Sequence, residues 1–268
     1  MDKISKKGLL AVSFGTSVNA SREKTIDAIE ADFKEAFPDY TLYRAWTSRV
    51  IIEKLKKRDG IQIDTVGEAL ERMLADGVTE VVVQPTHVIS GIENEQMTAD
   101  ILTYRDQFAA VRFGTPLLVN EEDFCAVIKA VMTEFKHISR EEALVFMGHG
   151  TPHNANSTYS VLSQKLKDMG YENVFLGTVE SGPSINILMQ QVHAYGAKRV
   201  TLAPFMVVAG DHALNDMSGD DKDSWRKQLE ASGFIVNCVL KGLGEYPGIR
   251  RLYIKHIQDA IERAALRL

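Results

Sequence analysis

Three polar side chains in the second half of the chain are of the types that handle a metal ion. His149 sits in Gly148-His149-Gly150-Thr151, directly after the apolar run Leu144–Met147. Glu180 follows Asn173–Thr178, within Val179-Glu180-Ser181-Gly182-Pro183. His212 closes Gly210-Asp211-His212, after Arg199–Phe205 and a second apolar stretch. Two imidazoles and a carboxylate that leave positions open suit a borderline divalent cation. One histidine after a strand is most often a turn or capping residue, but three such residues follow three successive strands. Their spacing fits no short metal motif, so the case is topological: in an open parallel sheet, ligands bind beyond the carboxyl ends of the strands.

Other residues are weighed by the same rule. His153 lies four residues past His149 and is placed to support it. His87 follows a first-half strand and is a candidate for a substrate pocket, whereas His137, His193 and His256 fall in helical contexts and read as structural or solvated. The turn Ser13-Phe14-Gly15-Thr16 after the first strand is a candidate substrate contact. It carries neither G-x-x-x-x-G-K-[ST] nor G-x-G-x-x-G, which disfavours nucleotide binding, and Ser13 lies in no G-x-S-x-G, which disfavours a serine hydrolase. Five aspartates crowd the stretch from Asp211 to Trp225. Without the fixed glycine and terminal glutamate of an EF-hand, they read as a solvated loop whose last members favour the N-terminus of the next helix.

The elements that must position these residues alternate along the chain. Strands are expected at Leu9–Phe14, Thr41–Trp46, Glu80–Gln84, Val111–Thr115, Leu144–Met147, Asn173–Thr178, Arg199–Phe205 and Phe234–Leu240. Helical patterns run over Arg22–Phe37, Thr65–Ala75, Asn94–Ala110, Glu122–Phe135, Ser157–Met169, Ile185–Tyr195 and Ser224–Ala231. A last helix starts near Pro247, a favourable first-turn residue, and runs to the C-terminus. Strands spaced by helices imply βαβ crossovers and parallel sheets, and the nearly all-apolar strands fit burial on both faces.

The chain also looks doubled. LLAVSFGTS at Leu9–Ser17 matches ALVFMGHGT at Ala143–Thr151, and GVTEVVVQPTHVISG at Gly77–Gly91 matches GAKRVTLAPFMVVAG at Gly196–Gly210. Two such pairs in the same order predict two similar α/β halves, residues 1–135 and 136–268, the second carrying the metal-handling residues, with a cleft between them.

Composition excludes several classes. The 268 residues are 45% hydrophobic and 25% charged, an ordinary globular balance long enough for a sizeable core. The net charge of -5 shows no basic excess for nucleic acid. No apolar run approaches the roughly 20 residues of a spanning helix, and Leu9–Phe14 is too brief for a signal peptide core. A cytoplasmic protein acting away from membranes is expected; its self-association is left open. Cys125 and Cys238 read as free thiols.

Several blocks resemble a known family. VSFGTS, YRAWTS with IIEKLKKRDGIQIDT, FMGHGTPHN, VES, and VVAGDHALNDM with DDKDSW are similar to the anaerobic sirohydrochlorin cobaltochelatases of the CbiK type, class II chelatases related to the ferrochelatases. The resemblance runs from about Leu9 to Leu243. It implies two similar α/β halves and insertion of cobalt(II) into the tetrapyrrole sirohydrochlorin, in anaerobic cobalamin biosynthesis. Divalent cobalt would then be a substrate metal, with no permanently bound cofactor. The family's two metal-handling histidines fall on His149 and His212, and its acidic partner on Glu180. The family has an exported branch that also binds haem; the absence of a signal peptide favours the cytoplasmic branch. Sirohydrochlorin carries eight carboxylates, so basic groups should meet it, and Arg44 and Arg49 are the candidates. Two alternatives use the same residues: a metal-dependent hydrolase acting through a bound water, and a tetrapyrrole or metal carrier without turnover.

Overall fold

A computed structural model describes residues 5–265. Residues 1–4, and the last three residues of the helix expected to run to the C-terminus, lie outside the described residues. Eight strands alternate with helices: β1 (Lys7–Ser13), β2 (Thr41–Trp46), β3 (Glu80–Pro85), β4 (Ala110–Phe113), β5 (Glu142–Gly148), β6 (Val174–Thr178), β7 (Arg199–Pro204) and β8 (Ile235–Cys238). They form two four-stranded sheets, ordered β2-β1-β3-β4 and β6-β5-β7-β8, and every pairing is parallel. The identical order confirms the doubling read from the sequence. The duplicated segments are the two central strands of each sheet, β1 and β3 against β5 and β7.

Central position explains why those strands are so apolar. In β1, Leu9, Leu10, Ala11 and Val12 are all buried, because helices cover both faces. In the first unit, one core joins Leu10, Val12, Val81 and Val83 to Val66, Leu70 and Met73 of α4 (Val66–Ala75) and to Met97 and Ile101 of α5 (Ile92–Leu102). In the second unit, Val145, Met147, Val200 and Leu202 pack with Leu188 and Val192 of α8 (Ile185–Tyr195) and Trp225 and Leu229 of α9 (Trp225–Ala231). Among the described residues, no helix is long and apolar enough to cross a membrane.

The units divide differently from the expected boundary at residue 135. One comprises residues 5–119 and 250–265, the other residues 120–249. Two helices account for the shift. Helix α6 (Glu121–Glu134) is held in the second unit by ion pairs from Lys165 to Glu121 and from Lys241 to Glu134. Helix α10 (Pro247–Ala265) returns to the first unit: Arg250 Nε donates to Asp32, Tyr253 Oη to the Thr86 carbonyl, and His256 Nδ1 to the Thr115 carbonyl.

Three helical details depart from the sequence reading. The pattern expected over Asn94–Ala110 stops at Leu102, the end of α5, and a 3-10 turn at Arg105–Gln107 leads into β4 at Ala110. The pattern Arg22–Phe37 is broken into α1 (Asn19–Lys24) and α2 (Ile26–Ala36) at Thr25, whose hydroxyl donates back to the Ser21 carbonyl and competes with the helical ladder. Helix α3 (Arg49–Asp59) was not among the expected patterns. Only Leu55 of its residues is buried, so it lacks the apolar periodicity that betrays a core-facing helix.

Candidate metal centre

The chain folds three separate turns at the carboxyl edge of the second sheet onto one point. After β5, Gly150 takes a positive φ of 84° where a Cβ would lie 2.8 Å from Thr178. Only glycine lets the turn press this closely against the end of β6. After β6, Glu180 N donates to the His149 carbonyl at 2.9 Å and Ser181 Oγ donates to the Thr151 carbonyl at 3.0 Å. These bonds lock the Glu180 turn to the His149 turn. After β7, residues Met206 and Val207 accept from Leu243 N and Gly244 N, and the chain then enters a five-residue π-helical turn, Ala213–Met217, with His212 at its head.

The outcome is compact. Ligating atoms of His149, Glu180 and His212 all lie within 4.8 Å of one another. The two imidazoles meet edge to face, with ring centres 4.9 Å apart at 85°. His149 and Glu180 are exposed and His212 is half-buried, so the cluster is open to an incoming group.

Both histidines have one ring nitrogen engaged. His149 Nδ1 lies 2.8 Å from the Gly150 carbonyl, which can only accept, so Nδ1 carries the hydrogen. His212 Nδ1 lies 2.6 Å from a carboxylate oxygen of Asp216. Each arrangement leaves Nε2 as the nitrogen with a free lone pair. Asp216 is the partner that sequence reading passed over among the loop aspartates; its i,i+4 spacing from His212 was the available signal. The Glu180 carboxylate has no hydrogen-bond partner among the described residues. Helix α8 starts from Ser184 without a side-chain cap, so Glu180 is not a helix cap.

The other candidates have separate places. His153 accepts from Ala155 N through Nδ1 and caps a short 3-10 turn. Of the five aspartates, Asp220 pairs with Arg226 and Asp221 accepts from Asp223 N, as befits a surface loop before α9. In the first unit, Ser13 is buried and accepts from Thr86 Oγ1, and Thr16 accepts from Val18 N. Gly15 packs flat on the Trp46 ring at a φ of 102°, which leaves Phe14, 43% exposed, as the open member of that turn. Arg44 does not project from the strand end. It lies within β2 and is tied to Glu30 and Asp27 of α2. Burial holds the Glu30 carboxyl above its usual range, against the opposing pull of Arg44. The Arg44 guanidinium is thereby engaged by two carboxylates of its own unit. His87 follows β3 with both ring nitrogens buried and unpartnered, and burial lowers it to about 4.

Comparison with known proteins shows the family and the fold. Residues 7–262 match the family model described as cobalt chelatase (CbiK). The sirohydrochlorin cobaltochelatase of Salmonella typhimurium is 40% identical over 97% of this chain and 98% of its own. The sirohydrochlorin cobaltochelatase CbiKC of Nitratidesulfovibrio vulgaris is 33% identical over 96% of this chain and 92% of its own. The fold is similar to that of SirB from Bacillus subtilis with Fe3+, at a TM-score of 0.68 and 14% identity over 97% of both chains. Matching over nearly its whole length, the chain belongs to the cobalt chelatase (CbiK) family.

Proposed function

We infer that this protein inserts cobalt(II) into sirohydrochlorin to give cobalt-sirohydrochlorin for cobalamin biosynthesis, and that His149, Glu180 and His212 carry out the insertion. Family membership supports the reaction. The observation that carries the site is the convergence of three donor atoms within 4.8 Å, with the Nδ1 of both histidines already occupied.

Insertion makes three demands. The cation must exchange its water for pyrrole nitrogens, two pyrrole protons must leave, and the macrocycle must be held so that its lone pairs face the metal. Imidazole nitrogens with free lone pairs serve the first two, as ligands and as proton acceptors. Glu180 supplies the negative charge that two neutral imidazoles lack, and its unpartnered carboxylate is free to do so. Asp216 holds His212 in the tautomer that presents Nε2. Three protein donors leave the remaining coordination positions to water and then to the macrocycle. Cobalt is a substrate here, so the cluster must release it, which fits an open site better than a closed structural one. Phe14 offers an exposed aromatic surface for the macrocycle, and His87 remains a candidate pocket residue. The cytoplasm is the compartment proposed for this biosynthetic step.

The test is to mix cobalt(II) and sirohydrochlorin with a small molar fraction of the protein and follow the visible spectrum. Complete conversion over many equivalents is expected. A change that stops at one equivalent would make the protein a carrier, and no change above the uncatalysed rate would refute insertion.

A further inference from the structure

The turns that carry His149 and Glu180 run side by side. Val179 N donates to the Gly148 carbonyl at 3.0 Å and Glu180 N to the His149 carbonyl at 2.9 Å, which continues the β5–β6 ladder past the end of β6. Beyond Glu180 no backbone hydrogen bond joins the two turns among the described residues. Two side chains span them instead. Ser181 Oγ donates across to the Thr151 carbonyl. Asn156 reaches both turns from outside: its Oδ1 accepts from Thr151 N at 3.1 Å, and its Nδ2 donates to the Gly182 carbonyl at 3.4 Å. One orientation of the carboxamide serves both, because the amide N–H needs an acceptor and the carbonyl a donor.

Asn156 stands on a firm base. It immediately precedes α7 (Ser157–Asp168), which buries Tyr159, Leu162 and Leu166. Asparagine at that position ordinarily caps its helix, the side-chain oxygen accepting from an N–H two or three residues on. Asn156 makes no such bond. A side chain that only stabilised α7 would cap it; this one is turned to the two ligand-bearing turns.

We propose that Asn156 is a positioning residue: by tying the Thr151 and Gly182 backbones to α7, it fixes the separation at which the His149 imidazole and the Glu180 carboxylate reach one cation. The proposal rests on the reading of His149, Glu180 and His212 as the metal site. Both polar atoms of Asn156 are engaged in this tie, so it holds the donors and does not itself take the cation. Without it the Thr151 amide loses its acceptor, whereas the Gly182 carbonyl keeps the Thr178 hydroxyl as a donor. The Glu180 turn then stays closed but gains freedom to shift against the His149 turn.

Binding of cobalt(II) alone, without sirohydrochlorin, tests this through the visible absorption of the protein-bound ion. The dissociation constant should rise about tenfold in Asn156→Ala, the scale for losing a group that orients metal ligands. Asn156→Leu keeps the shape and neither hydrogen bond, and should match it. Once the Glu180 carboxylate is gone, Asn156 has nothing left to present. Asn156→Ala combined with Glu180→Ala should therefore bind no more weakly than Glu180→Ala alone, a dependence that general loosening of the fold would not produce. Melting temperatures should stay near the parent's, since no helix cap is lost. A parental dissociation constant in either folded Asn156 variant, or losses that add in full in the double variant, overturns the proposal. Failure of both Asn156 variants to fold overturns it too, by making the residue structural. His149→Ala, measured in parallel, separates the two readings. If it binds cobalt weakly while Asn156→Ala binds like the parent, the positioning role alone fails. If it binds as tightly as the parent, the metal-site reading itself fails.

Discussion

His212 Nδ1 lies 2.6 Å from the carboxylate of Asp216, one turn further along the same π-helical segment. The short i→i+5 turn places a carboxylate directly behind the imidazole, so the ring's orientation and tautomer are set before any metal arrives. Rare π-turns of this kind recur at functional sites because they re-aim one side chain without rebuilding a loop.

Asp216→Ala should therefore lower the cobalt insertion rate by roughly 10- to 100-fold, the usual cost of losing the carboxylate behind a metal-handling histidine. Asp216→Asn should lose less, because an amide oxygen still accepts from Nδ1–H. Initial rates of the two variants, with circular dichroism to confirm folding, check this order.

Glu180 distinguishes charge from shape. If its role is to offset the cation, Glu180→Gln should lose activity nearly as badly as Glu180→Ala, by about tenfold or more. Neither should shift the melting temperature, since the carboxylate makes no hydrogen bond within the described fold. Comparing specific activity with melting temperature in both variants decides. Retained activity in Gln would restrict Glu180 to positioning a neighbour.

Arg44 should matter for stability and not for substrate. Removing it leaves Glu30, only 7% exposed, without its cation. Arg44→Ala should cost about 3 kcal/mol of unfolding free energy, the scale for breaking a buried ion pair. Denaturant midpoints measure the cost. The folded fraction should keep the parent KM for sirohydrochlorin.

His87 predicts an acid limb of stability. Burial lowers its folded value to about 4 from 6.5, so the unfolded chain binds the proton more readily. Above the unfolded value the imidazole is neutral in both states and contributes no pH dependence. As pH falls from 6.5 toward 4, stability is lost, by up to about 3 kcal/mol in total. Unfolding free energies measured across that window for the parent and for His87→Leu should diverge with a steeper slope in the parent. Parallel curves would contradict the burial of an unpartnered ring.

How much of this was legible in the sequence follows from what each residue depends on. The four central strands, β1, β3, β5 and β7, were legible because they are nearly unbroken apolar runs, the edge strands were legible from their β-rich composition between helical patterns, and the doubling was visible in the paired segments 9–17 and 143–151. His149, Glu180 and His212 were found by their place after successive strands, a property that parallel topology alone confers. Helix α3 escaped because its exposed faces carry no apolar period. The fate of Arg44 was hidden because it depends on Glu30, fourteen residues away on another element. Asp216 was passed over for a different reason: its i,i+4 spacing from His212 was visible, but it stands among five aspartates that read together as one solvated loop. The regrouping of α10 with the first unit depends on contacts such as Tyr253 to Thr86, separated by 167 residues. No local pattern encodes the contacts of Arg44 or of α10.

The central claim is that His149 and His212 handle the metal during insertion. The most direct measurement is the rate of cobalt(II) insertion into sirohydrochlorin by His149→Ala and His212→Ala, with the uncatalysed rate subtracted and folding verified by melting temperature. Both histidines lie in turns after strands, outside the packed core, so the variants should fold as the parent does. The account predicts that each variant loses most of its insertion activity while melting near the parent temperature. Insertion at the parent rate by either correctly folded variant would contradict it.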